Sequence, residues 1–148
     1  MVGNTTYHLP LKTFMDSIIL TVRTGREPAV VDVTAEVAGF VANRGDGLLS
    51  VFVPHATAGV ALIETGSGTE SDLFDALDRL LPRDQRWRHR HGSEGHGADH
   101  VLPAFVGPSI TIPVITGRLA LGTWQSVVLV DLNRDNPERS LRLSFLPG

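Results

Sequence analysis

Short apolar segments punctuated by glycine and proline restrict most strongly what this 148-residue chain can fold into. From Ser17 to Thr24, Ile18, Leu20 and Val22 alternate with Ile19, Thr21 and Arg23, a strand pattern that ends in the turn Gly25-Arg26-Glu27-Pro28. Ala29 to Val33 is short and apolar. Leu48 to Val53 is almost continuously apolar, which predicts a strand buried on both faces. Pro54 stops it, and Gly59 to Ile63 reads as the strand that closes a hairpin. Further strands are expected at Ile110–Ile115, Leu119–Asp131 and Ser140–Leu146, set apart by Thr116-Gly117-Arg118 and by a polar turn from Asn133 to Pro137.

Helical spacing is rarer. Thr34 is placed to cap a helix whose Val37, Phe40 and Val41 share one face, weakened by Gly39. Leu73, Phe74, Leu77, Leu80 and Leu81 form the stripe of a second helix, with Thr69 and Asp72 as its capping box and Pro82 as its stop. Val101–Val106 reads as a short helix or an irregular apolar segment. Strands outnumber helices about two to one and do not alternate with them, which is an α+β pattern and not a doubly wound sheet. The expectation is one domain over residues 16–148, built of packed, mostly antiparallel sheets with two or three helices. Residues 1–15 would be an extension, in which Thr5-Thr6-Tyr7 could add an edge strand.

The composition excludes several classes. A net charge of −3 lacks the basic excess of a nucleic-acid binder. With no cysteine, disulfides and thiolate metal sites are impossible, so any metal must be held by His, Asp, Glu or backbone oxygen. No segment approaches the roughly 20 apolar residues of a membrane span, so a cytoplasmic protein is expected. No nucleophile lies in a recognisable elbow.

The chemistry-bearing residues concentrate between Arg86 and His100, where His89, His91, His96 and His100 lie among glycines and carboxylates. Imidazole in a loop between ordered elements suits metal or acid–base work. His89 and His91 would lie on one side of an extended strand; His96 and His100 would share a face only of a helix, and Gly95 and Gly97 argue against one there. His55 follows the Leu48–Val53 strand, either as a ligand on a rigid platform or as a histidine satisfied by backbone. Gly66-Ser67-Gly68-Thr69 suits phosphate at a helix N-terminus, with ordinary capping as the simpler role. Arg83, Arg86, Arg88 and Arg90 surround Trp87, which suits a phosphorylated ligand, an acidic neighbouring subunit, or plain solvent.

Three ordered motifs together resemble the YjbQ family, uncharacterised protein family 0047. Pro54-His55-Ala56-Thr57-Ala58-Gly59 is similar to its His-Thr-Ser-Ala or His-Thr-Thr-Ala signature. Gly122-Thr123-Trp124-Gln125 matches its Gly-Thr-Trp-Gln, after the lead-in Gly117-Arg118-Leu119-Ala120-Leu121. The family's two loop histidines, eleven residues apart, correspond to His89 and His100. Thr65 stands where the family often has Asn, and Asp131-Leu132 where it usually has Glu followed by His.

The resemblance implies an α+β domain, a homotrimer, and a site that gathers His55, His89 and His100 as ligands of a divalent metal. Zinc is the first candidate, and magnesium the alternative for diphosphate chemistry. Glu64 and Asp131 would be the catalytic carboxylates; Thr57, Arg88, Trp124 and Gln125 would contact substrate. A weak thiamine-phosphate synthase activity linked to the family makes a small phosphorylated heterocycle the expected substrate. A non-catalytic metal- or ligand-binding protein and a metal-assisted hydrolase are the alternatives. No nucleic-acid or membrane partner is expected.

Overall fold

Alternation along β1 (Asp16–Arg23) and β8 (Glu138–Pro147) puts one apolar row inward from each strand, and the two pair antiparallel along β1's whole length. The computed structural model describes residues 14–148, so the Thr5–Tyr7 edge strand and nearly all of the expected extension lie outside the described residues. Between those strands come β2 (Ala29–Asp32), α1 (Thr34–Val41), β3 (Gly47–Phe52), β4 (Ala58–Ile63), α2 (Thr69–Leu80) and α3 (His96–Asp99). A 3-10 turn (Leu102–Ala104), β5 (Ser109–Ile115), β6 (Arg118–Leu119) and β7 (Ser126–Asp131) complete the set. The larger sheet has the order β1-β8-β3-β5-β6 and the smaller one β2-β7-β4, both antiparallel. The α+β expectation holds.

The layers follow from β7, which is buried on both faces. Val127 and Leu129 join Leu49, Val51, Ile112, Leu141, Leu143 and the α1 residues Val37 and Val41 in one core. Val128 and Val130 join a second core with Leu77, Leu81, Ala98, Leu102 and Leu132. The smaller sheet is therefore sandwiched between the larger sheet and a layer formed by α2, α3 and the segment joining them. Burying a side chain such as Leu129 removes it wholly from water and is worth about 1.5–3 kcal/mol.

Several local expectations are corrected. β3 is covered on one face only: Leu49 and Val51 are buried, whereas Leu48 and Phe52 are exposed on the outer face. β3 and β4 form no hairpin, for β3 pairs with β5 and β8 while β4 pairs with β7 in the other sheet. Pro54-His55-Ala56-Thr57 offers no tight-turn glycine or asparagine, and the chain uses it to cross between sheets. Leu119–Asp131 is broken by a turn in which Gln125 donates its N–H to the Gly122 carbonyl and accepts the Gly122 N–H on its side-chain oxygen. Thr34 is the first residue of α1 and not its cap; its hydroxyl accepts the Val127 N–H, and Asp32 accepts the Thr34 N–H. Thr69 and Asp72 make no capping box either. Glu70 folds back to accept the Gly66 N–H at 2.8 Å, which places a carboxylate where phosphate would have sat.

Candidate metal centre

After α2 the chain turns at Pro82 and runs out to the histidines. Trp87 anchors it: the ring packs against the second core and Nε1 donates to the Pro82 carbonyl at 2.7 Å. Arg83 pairs with the fully buried Asp99, tying the start of the segment to its end. Arg86 pairs with Asp84 at 2.7 Å, and Arg90 donates to the Trp87 carbonyl. The two arginine–carboxylate pairs are thus made within the chain, while Arg88 is exposed. Burial holds the Asp99 carboxyl above the ordinary range despite Arg83.

Gly95 then adopts φ 83°, and one helical turn follows, contrary to the expectation from its glycines. Gly97 has a packing reason to lack a side chain, since a Cβ there would lie 2.5 Å from the Trp87 Cβ and 2.7 Å from the His89 carbonyl oxygen. That turn lays His96 and His100 one above the other, with their Nε2 atoms 2.9 Å apart. His89 and His91 approach from the extended segment, their rings centred 4.1 Å apart, and His89 is 4.3 Å from His100. One nitrogen from each of the four falls within 4.8 Å of the others.

At His89 and His100 the electrostatics favour the neutral ring. Removal from water lowers the pKa of both His89 and His100, and the neighbouring histidines push the same way. His96 is buried, and its Nδ1 lies 2.9 Å from Asp135 Oδ2, at ion-pair distance, and 3.1 Å from the Asn133 side-chain nitrogen. A proton on Nδ1 leaves the Nε2 lone pair directed at the cluster. Asp135 itself is held below the usual carboxylate range, first by the Ser93 N–H. A cavity of about 340 Å³ opens beside the cluster, bordered by Trp87, His89, Arg90, His91, Glu94 and His96.

This donor set fits a borderline transition metal. Zinc bonds imidazole nitrogen at about 2.0–2.1 Å, so four tetrahedral ligands stand about 3.3 Å apart. The His96–His100 edge is already shorter than that, and the wider edges involve the exposed His89 and His91, which have room to close. Magnesium prefers oxygen and suits the set poorly.

The expected residues are thus regrouped. His89 and His100 meet, in the company of His91 and His96, which the family spacing had not selected. His55 is outside the four-histidine group. Its Nε2 accepts the Ser140 N–H at 2.8 Å, the backbone-satisfied alternative, and burial beside Arg139 lowers its pKa. Asp131 is fully buried: Arg139 grips both oxygens at 2.7 and 2.9 Å, and Thr24 and the Asn133 N–H add two more bonds. A carboxylate so committed has no lone pair to spare for a base. Thr57 is buried, Glu64 is exposed at the end of β4, and Trp124 and Gln125 occupy the Gly122–Gln125 turn, where Trp124 is 73% exposed. Asn133 and Asp135 had no signal beyond their alternation with Asp131.

The chain is similar to several known proteins. Residues 18–148 match the model of the family described as UPF0047 protein YjbQ-like. A UPF0047 protein of Mycobacterium tuberculosis is 63% identical over 134 residues, covering 90% of this chain and all of the relative. YugU of Bacillus subtilis is 32% identical over 120 residues, 77% of this chain and 87% of its own. Among solved structures, a YjbQ-like protein of unknown function from Sulfolobus solfataricus superposes with a TM-score of 0.84 at 26% identity, covering 92% of this chain and 99% of that one. A protein from Aeropyrum pernix gives 0.80 at 34% identity, covering 90% and 99%. With the matched region spanning both sheets and the histidine segment, the chain belongs to the YjbQ-like UPF0047 family.

Proposed function

We propose that this protein is a metal-binding enzyme whose centre is His89, His91, His96 and His100, with zinc as the metal and a small phosphorylated heterocycle as the substrate. One observation carries the reading: four imidazole nitrogens within 4.8 Å, one of the rings with a carboxylate oxygen 2.9 Å from its outer nitrogen. Four neutral ligands cancel none of a dication's charge, so the site attracts anions. Arg88 and Arg90 lie in the same segment and add to that preference.

Thiamine-phosphate synthesis is the candidate reaction. In it a pyrimidine methylene forms a C–N bond to the thiazole nitrogen as pyrophosphate leaves. A bound divalent ion supplies Lewis-acid charge for the departing phosphates. The chain's own contribution would be Arg88 and Arg90 at the diphosphate. The outward Trp124 would stack on a heterocycle or on a neighbouring subunit. A homotrimer belongs to the same proposal, supported by the exposed Leu48, Phe52 and Leu146 on the outer face of the larger sheet.

A non-catalytic metal protein is the second reading, favoured by the count of ligands, since four protein ligands close a zinc shell whereas catalytic zinc keeps an open position. The exposed His91, at the cavity's edge, is the ligand a substrate oxygen would replace in the first reading. Hydrolysis with Asp131 as base is disfavoured by that residue's four hydrogen bonds.

Elemental analysis of protein purified without added metal, beside His96→Ala and His100→Ala, tests the centre. About one zinc per chain is expected in the wild type, lost in both variants. Equal and negligible metal in all three after incubation with zinc would overturn it. The loaded protein is then assayed for thiamine phosphate formation with and without a chelator. Turnover abolished by chelation supports the enzyme, and bound metal without turnover leaves the second reading.

A further inference from the structure

We propose that Asp135 is the positioning residue of this centre, fixing His96 in the one tautomer and ring orientation that can bind metal. The inference rests on the metal reading above and adds to it a role for a side chain in the turn between β7 and β8, far from the histidines in sequence.

Three contacts hold Asp135 in place. Its Oδ2 lies 2.9 Å from His96 Nδ1 and accepts from the Ser93 N–H at 3.1 Å, and its own N–H donates to Asn133 Oδ1 at 2.7 Å. Asn133 is anchored in turn through its N–H to Asp131 Oδ1, which Arg139 clamps. The turn is therefore a ladder of alternating Asp131, Asn133 and Asp135 whose outer end meets the buried histidine. Gly92 faces the same pair, and a Cβ there would fall 2.7 Å from Asp135 Oδ2 and 2.8 Å from the His96 ring. Packing on one side and hydrogen bonds on the other leave one position for the carboxylate.

The chemistry follows from the two ring nitrogens. With its proton on Nδ1, His96 offers an Nε2 lone pair; with its proton on Nε2, it would point an N–H at His100 and bind nothing. The Asn133 amide nitrogen 3.1 Å from Nδ1 favours the second form, but the charged carboxylate at 2.9 Å outweighs it, selects the first, raises the basicity of Nε2, and supplies negative charge that four neutral imidazoles lack. Among the described residues, His96 is the one member of the four with a carboxylate on its outer nitrogen.

Asp135→Ala and Asp135→Asn are compared with wild type by chelator competition for zinc and by the visible spectrum of the cobalt(II)-loaded protein. Asp135 is 39% exposed, and the metal-free variants are expected to fold, with at most a modest drop in melting temperature from the lost Ser93 contact. Asp135→Ala should bind zinc about ten- to a hundredfold more weakly, with displaced cobalt bands, and Asp135→Asn should lose less. Zinc affinity within about twofold of wild type and an unchanged cobalt spectrum in both variants would overturn the role of Asp135 while leaving the centre standing. A wild type that takes up neither metal would overturn the centre, and this inference with it.

Discussion

Arg139 and Asp131 are both almost fully removed from water, and each depends on the other to be there. Removing two charges from water costs several kcal/mol per ion, recovered only because Nε and one terminal nitrogen reach separate carboxylate oxygens. The expected outcome of Arg139→Ala is thus a loss of about 3–5 kcal/mol, since a buried carboxylate is left without its counter-ion. Urea unfolding gives the number. The double variant Asp131→Leu with Arg139→Met should lose clearly less than the two single changes summed. A loss below about 1 kcal/mol in Arg139→Ala would show that the pair behaves as an exposed one and that the ladder to Asp135 has another anchor.

At the scale of elements, α3 shows how packing overrides propensity. Glycine costs a helix about 1 kcal/mol per residue, which is why Gly95 and Gly97 argued against one and His96 was set aside. A single turn pays little of that penalty, and both glycines answer to needs invisible in the sequence: Gly95 for its positive φ, Gly97 for the approach of Trp87 and the His89 carbonyl. Gly97→Ala is therefore expected to push His89 away and to weaken zinc binding by more than tenfold, at about 1–3 kcal/mol in stability. Gly39→Ala in α1 is the control, because nothing lies within 4 Å of its Cβ, and it should stabilise by about 0.5–1 kcal/mol. A zinc titration of Gly97→Ala that matches wild type would show that the close contact does not hold the site. Residue periodicity made most strands legible to within a few positions, because one apolar face is visible locally, but it missed the turn that breaks Leu119–Asp131. Partner choice was not: whether β4 pairs with β3 or β7 is decided by Val127–Val130, more than sixty residues away. The same holds for the site. His89 and His100 were legible through the family resemblance, whereas Asp135 reaches His96 only through the turn that carries the chain from β7 in one sheet to β8 in the other.

For the molecule as a whole, the histidine segment belongs to the layer that covers the smaller sheet, while His55 lies where the chain crosses between sheets and is bonded to β8. His55, His89 and His100 all have pKa values lowered in the folded state, each chiefly by loss of water. A lowered value means that the unfolded chain, with imidazoles near 6.5, binds more protons than the folded one. The stability they allow is complete above about pH 6.5 and is lost as pH falls through the depressed folded values. Asp84 and Asp135 are also lowered, by Arg86 and by the Ser93 N–H respectively, but their contribution disappears only below about pH 4. The two windows are separate. Melting of the metal-free protein should therefore drop between about pH 7.5 and 5.5, and less so in the double variant His89→Asn with His100→Asn. Zinc should enlarge the difference, because ligands must be neutral to bind: at a hundred times its Kd it adds about 2.7 kcal/mol near neutrality, and much less in acid. A melting temperature flat across this range without metal, together with an equal zinc shift at both ends, would mean that these imidazoles neither titrate with folding nor meet at a common ion.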